Sequence, residues 1–191
     1  MTLKPQESSE LEFIQVLKSK HARYINRAVV DTDAVGKDYV KPGAAMGKIT
    51  SSGLYGPVTR GAVGSVTTST DLITLSGEAE AWNLQVGDEL ETLDVDGSVI
   101  TANVSDDLVV TAIDGADITV TNIESTEHDD AAYIQKADGS SDAEFICLQL
   151  IDVSDDEDVI VGGIVHGAVY KDRMANYDAS VEEDLPQVSF E

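Results

Sequence analysis

Basic residues are scarce in this chain of 191 residues. Lys and Arg together number 12 against 36 Asp and Glu, a formal net charge of −24. A surface of that sign repels nucleic acid and anionic lipid, so neither a nucleic-acid partner nor a membrane partner is expected. Cysteine occurs once, at Cys147, which excludes an internal disulfide. Cys147 lies in the apolar run Phe145–Ile151, where a buried, inert thiol is expected. Aromatics are few, with one Trp, three Phe and six Tyr, too thin a supply for the platforms of a typical glycosidase. No apolar run reaches about 18 residues, so no membrane-spanning helix is expected, and the polar start MTLKPQESSE has no signal-like apolar stretch.

What is present is β-patterned. Short runs rich in β-branched residues recur about every ten residues between 65 and 123: Val66–Thr68, Asp71–Leu75, Glu89–Leu93, Ser98–Val104, Leu108–Ile113 and Asp117–Ile123. Asp96-Gly97 and Asp114-Gly115 between them are hairpin signals. Five or six short strands without a long helix predict a small barrel-like unit, with Trp82 and Leu84 plugging one end. Outside it, Tyr24–Val30, Ala45–Thr50, Ala132–Ile134, Phe145–Val153 and Val159–Val165 also read as strands, and Lys41-Pro42-Gly43 reads as a turn. Residues 11–23 mix helical and strand spacing and fix neither. The fold class expected is mainly β with little helix: a β-rich core interrupted by an inserted, barrel-like domain.

The residues that carry chemistry are not assembled in catalytic patterns. Gly43-Ala-Ala-Met-Gly47-Lys48 is one residue too short for a phosphate loop, and Ile49 stands where a magnesium-binding Ser or Thr is needed. His21, His128 and His166 are far apart, and no His/Cys pair has zinc spacing. Glu127–Asp130 reads as a solvated loop. Asp94-Val-Asp96-Gly97 and Asp155–Asp158 carry calcium-type ligands without the twelve-residue calcium loop. No Gly-x-Ser-x-Gly elbow occurs. The expectation is a structural protein with no catalytic residue, no metal and no cofactor.

The charge is unevenly placed. Residues 1–60 hold nine cations and six acids, net +3, whereas residues 61–191 hold three cations and thirty acids, net −27. Such asymmetry predicts an interaction arm at the N-terminal side. The acidity itself predicts a protein made for high salt, since at molar ionic strength the Debye length falls to about 3 Å and self-repulsion is screened.

Two separated stretches carry a family resemblance. Val40–Tyr55 contains Gly47-Lys48-Ile49-Thr50-Ser51-Ser52-Gly53-Leu54-Tyr55, and Ala132–Val153 is followed by Val159–Val169. Together they resemble the lambda-type head decoration (cement) proteins of tailed viruses, whose pattern is a G-K-(I/V)-T-x-(S/T)-G-x-Y strand and turn, an apolar strand ending in Asp-Val, and a late V-x-G-x-V strand. The likeness covers roughly a quarter of the chain. Cys147 departs from the glycine often found there, and residues 60–131 interrupt the pattern. The resemblance implies a homotrimer on the outer surface of the virion, made in the host cytoplasm, that binds the major capsid protein and stabilises the head against packaged DNA. The organisation it suggests is a docking arm over residues 1–30, a discontinuous core over 31–60 and 132–175, an insertion over 61–131 and a loosely held acidic tail over 176–191. For the arm, the expected capsid contacts are Leu11, Phe13, Ile14, Val16, Leu17, Tyr24 and Ile25, with Lys18, Lys20, Arg23 and Arg27 pairing acidic shell residues. The alternative is another virion surface protein (tail, spike or glycan-binding module) whose inserted barrel holds the activity.

Overall fold

The computed structural model describes residues 16–18, 22–100, 107–124, 126–154 and 157–191. The protein is mainly β. In chain order the strands are β1 Arg23–Val30, β2 Tyr39–Val40, β3 Ala45–Lys48, β4 Tyr55–Pro57 and β5 Arg60–Thr67. Next come β6 Leu72–Leu75, β7 Leu90–Leu93, β8 Asp107–Asp114, β9 Asp117–Asn122 and β10 Tyr133–Lys136. The chain ends with β11 Ala143–Cys147, β12 Ile151–Asp152, β13 Val159–Val169, a short helix α1 Ala179–Asp184 and β14 Val188–Phe190.

The first sheet has the order β1-β4-β3-β11-β13, and β13 pairs back onto β1, so five strands close into a barrel. Closure is antiparallel and long, running from Arg23↔His166 to Val30↔Val159. It joins segments more than a hundred residues apart. Ala28, Val30, Met46, Phe145, Cys147 and Val161 point inward and are buried. Tyr55 packs edge-on against Phe145, with ring centroids 5.2 Å apart. Gly163 faces Phe145 so closely that a Cβ there would lie 2.1 Å from the ring. Glycine is what lets β13 pass the largest residue of this core.

The second sheet has the order β7-β10-β5-β6-β9-β8. Its edges meet at the bridge Glu89↔Val109, backed by hydrogen bonds from Gly87 N–H to Val110 O and from Val110 N–H to Asp88 O, both 2.8 Å. The sheet therefore curls into a barrel-like unit. Alternation sets its core: Ile73 and Leu75 on β6, Ile118 and Val120 on β9, and Ile134 on β10 face inward. The β8–β9 hairpin turns at Gly115-Ala116 with φ +61 at Gly115, the sign a two-residue primed turn needs at its first centre.

Several expectations are corrected. β10, assigned with the discontinuous core, hydrogen-bonds to β5 and β7 of the second sheet. β5 and β10 are the two chain passages into and out of that unit, and they lie side by side. Of the strand expected over Ser98–Val104, Val99 makes only a bridge to Leu93, and residues 101–106 lie outside the described residues. Leu84 joins the second core, but Trp82 packs against the first. The C-terminal segment is built into the fold, because Val181, Leu185 and Val188 are buried and β14 pairs in parallel with β13. The Asn176 side chain accepts from Ala45 N–H (2.7 Å) and donates to Ala45 O and Val58 O (3.2 and 2.7 Å), which pins that segment to β3.

Candidate functional site

The residues expected to form a docking arm divide into three groups. Leu11, Phe13, Ile14 and Lys20 lie outside the described residues. Val16, Leu17 and Lys18 are already engaged with the barrel. Val16 is 2 % exposed in an apolar cluster with Ala45, Ile164 and Val188. Leu17 bridges Val169, and hydrogen bonds Lys18 N–H to Ala168 O and Tyr170 N–H to Val16 O extend the β13 pairing. The Lys18 ammonium is hydrogen-bonded to the Glu191 carboxylate and stands 5.5 Å from the Tyr170 ring. That Glu191 bond raises the Lys18 pKa above its ordinary value. Val16 is thus a core residue, not an exposed contact. The apolar residue and the charge seen in sequence find their partners within this chain.

The third group is on β1. Ile25 is half-buried and packs against the first core, as its inward register demands. Arg23, Tyr24 and Arg27 are exposed, Tyr24 by 50 %. β13 covers one edge of β1, but β4 registers with it only at Val30↔Tyr55. Among the described residues, the stretch 23–29 therefore carries ladder pairing on one edge. Beside it Ile160, opposite Val29, is 67 % exposed. The surface so formed is a strand with two guanidinium groups, a tyrosine and an isoleucine. It offers main-chain hydrogen bonds, positive charge and a small apolar contact, the means by which a sheet edge takes an added strand.

The acidic loops use their carboxylates locally. Asp94 Oδ1 accepts from the N–H groups of Asp96 and Ser98, and Asp96 Oδ1 accepts from Ser98 N–H and Oγ–H. Asp152 Oδ1 accepts from Ser154 in the same way. The serine hydroxyls lower the pKa of Asp96 and of Asp152. No group of three or more His, Cys, Asp and Glu suited to a metal occurs among the described residues. His128, read as part of a solvated loop, is buried, with Nδ1 2.7 Å from Thr92 Oγ1. Burial pushes the Cys147 thiol up, which keeps it protonated. No helix among the described residues is long and apolar enough to cross a membrane.

The most consequential polar residue was missed in sequence. Lys136 is buried at an inward position of β10, ion-paired at 3.0 Å with Asp88 Oδ2 and donating to Ala34 O at 3.1 Å. It joins the second unit to the 3-10 turn Thr32–Ala34 of the first. Asn83 and Gln85 reinforce this joint. Asn83 accepts from Gly36 N–H and donates to Thr59 Oγ1, and Gln85 donates to Asp33 O. The signal was available, since strict alternation places Lys136 on the same face as Ile134.

Compared with family models, with curated proteins and with solved structures, the chain matches none.

Proposed function

We propose that this chain is a structural virion protein that sits as a homotrimer on the outer surface of an icosahedral head and stabilises it through the major capsid protein. What supports this reading is one observation. Of the strands in the stretches that carry the resemblance, β3, β4, β11 and β13 are contiguous in the closed barrel, while β10 pairs in the second sheet beside β5, where the chain leaves for the interrupting segment. A domain added to a surface loop of a working scaffold has this arrangement. In this reading the capsid-facing surface is the β1 strand with Arg23, Tyr24 and Arg27, continued by residues before Val16. The acidic remainder faces a high-salt milieu, and higher melting temperature in molar than in low salt is the expected sign of that.

The test is a truncation with a defined limit. Removing residues 1–30 would take away β1 and open the barrel, so the cut must stop at residue 15. The 16–191 chain is expected to keep its melting temperature and its mass by light scattering in high salt, and to lose binding to purified empty shells. Arg23→Glu with Arg27→Glu in the full chain is expected to weaken the same binding. Normal shell binding by both variants would refute the docking assignment.

A further inference from the structure

The junction between the two units holds a half-open cavity of about 270 Å³. Trp82, Ala79 and Glu80 from the second unit form one wall, Met174–Asp178 form the other, and Val58 and Arg60 lie between. The chain's single tryptophan is thus placed where the second unit meets the C-terminal segment. Tyr177, 39 % exposed, lines the same cavity.

Polar groups here are incompletely used. Arg60 stacks over the Tyr133 ring, 4.4 Å from guanidinium carbon to centroid, and its Nη1 is 3.8 Å from Asp178 Oδ1, too far for a hydrogen bond. Arg60 Nε is buried without a hydrogen-bond partner among the described residues. The Ser180 hydroxyl, whose own N–H is held by Asp178, is buried in the same condition. Buried polar atoms of this kind are uncommon. Glu80 and Asp178 bring acceptors: Glu80 Oε2 takes one bond from Ala62 N–H, and Asp178 Oδ1 caps α1 through Ser180 N–H. A carboxylate has about four acceptor positions, so both retain capacity.

Charge and donor inventory select the occupant. An anion would face Glu80 and Asp178, and an ammonium would face Arg60. A hydroxyl both accepts, from the part of the Arg60 guanidinium that lines the cavity, and donates, to either carboxylate. A pyranose ring also has a C–H face suited to an indole or phenol ring. We infer that the junction cavity is a binding site for a neutral sugar, one ring in size, held by Arg60, Glu80 and Asp178 against Trp82 and Tyr177. The inference is independent of the capsid reading, and either stands if the other fails.

Trp82 supplies a reporter of its own, because all tryptophan emission comes from this site. The full chain is titrated with glucose, galactose, mannose and N-acetylglucosamine, and with sialic acid and glucosamine as charged comparators. At least one neutral sugar is expected to produce a saturable change in Trp82 emission in the millimolar range, with transfer of saturation from protein to sugar in NMR. The comparators are expected to bind more weakly. Asp178→Asn preserves the helix cap, since Asn is an equally good N-cap, but it removes the charge. It is expected to weaken the best sugar about tenfold at unchanged melting temperature. Tyr177→Ala provides a second variant that keeps Arg60, Glu80 and Asp178, giving up a hydroxyl bond to Glu182 outside the cavity, and is expected to weaken the same sugar. Absence of a saturable response to all four neutral sugars, tighter binding of sialic acid or glucosamine, or unchanged affinity in both variants overturns the assignment.

Discussion

Both barrels of this protein have one thin seam, Val30↔Tyr55 in the first and Glu89↔Val109 in the second, but they draw their ladders from different distances along the chain. The first is sealed by a full antiparallel ladder between β1 and β13, segments drawn from the two ends of the chain. The second contains two local hairpins, β5–β6 and β8–β9, although β10 joins β5 from far along the chain (Ile134↔Gly61), and its edges meet at the bridge Glu89↔Val109 and the hydrogen bonds beside it. Long-range closure is slow to form because the loop entropy is spent before the pairing is gained, whereas hairpins form locally. The second unit therefore has the means to nucleate early. The first cannot close until the chain has returned from the insertion and β11 has paired with β3 and β13. The joint at Lys136, Asn83 and Gln85 makes the two interdependent.

Breaking that joint is expected to have the largest effect. Lys136 and Asp88 have side chains only 3 % and 12 % exposed. Lys136→Met leaves the Asp88 carboxylate and the Ala34 carbonyl without their ammonium, and loss of one member of a buried pair costs about 3–5 kcal/mol. The midpoint of chemical denaturation is expected to fall accordingly. Asp88→Asn added to Lys136→Met is expected to recover most of it, since Asn still accepts from Gln85 N–H but carries no charge. A small loss in the single variant would mean that the two barrels are energetically separate.

Asn176→Ala is expected to come next. It removes the side-chain partner of Ala45 N–H and of Val58 O, both at buried residues, while Ala45 O keeps the Val58 N–H, and an unpaired buried group costs about 1–3 kcal/mol before relaxation. A loss confined to the first barrel, with exchange protection in the second unchanged, would sharpen the contrast between them.

The difference in closure also explains what was legible in sequence. The hairpin at Gly115 and the inward alternation of Ile73, Leu75, Ile118 and Val120 are local facts, written within a few residues of one another. So are β3 and the turn before it. The pairing of Arg23–Val30 with Val159–His166 depends on two segments that carry no mark of each other. For the same reason the charge of Lys18 reads as interaction surface in sequence, although Glu191 answers it from the far end of the chain. The tail was misjudged because its many acids outweigh the three apolar residues, Val181, Leu185 and Val188, that anchor it.

A smaller effect is expected from adding one methyl group. Gly163→Ala places a carbon 2.1 Å from the Phe145 ring inside the first barrel, and overpacking of this kind costs about 1–3 kcal/mol. Gly77→Ala, at the rim of the second unit, meets nothing within 4 Å and is expected to leave the denaturation midpoint close to that of the parent. Equal effects of the two would argue that the first barrel is no more tightly packed than the loops of the second.

The smallest effect concerns protons, and it separates the C-terminal segment from the acidic loops. Burial pushes the Asp184 carboxyl up, and Asp142 and Glu183 push the same way against the Ala143 N–H and Arg60. A carboxyl whose folded value is raised favours folding in its protonated form. Its contribution is full below the ordinary carboxylate value and is lost as pH rises through the raised one. Asp96 and Asp152, lowered by their serine partners, act in the opposite sense: their contribution is present above the ordinary value and is lost as pH falls through their depressed folded values. As pH falls from neutral toward the ordinary carboxylate range, then, Asp184 gains its proton before Asp96 and Asp152 do, and the net charge of −24 starts to relax. Melting temperature is expected to rise across that interval, and Asp184→Asn, which still accepts from Ala143 N–H, is expected to make the rise shallower. A melting temperature that falls from about pH 7 to about pH 5 would mean that paired carboxylates, not crowded ones, set the acid response of this protein.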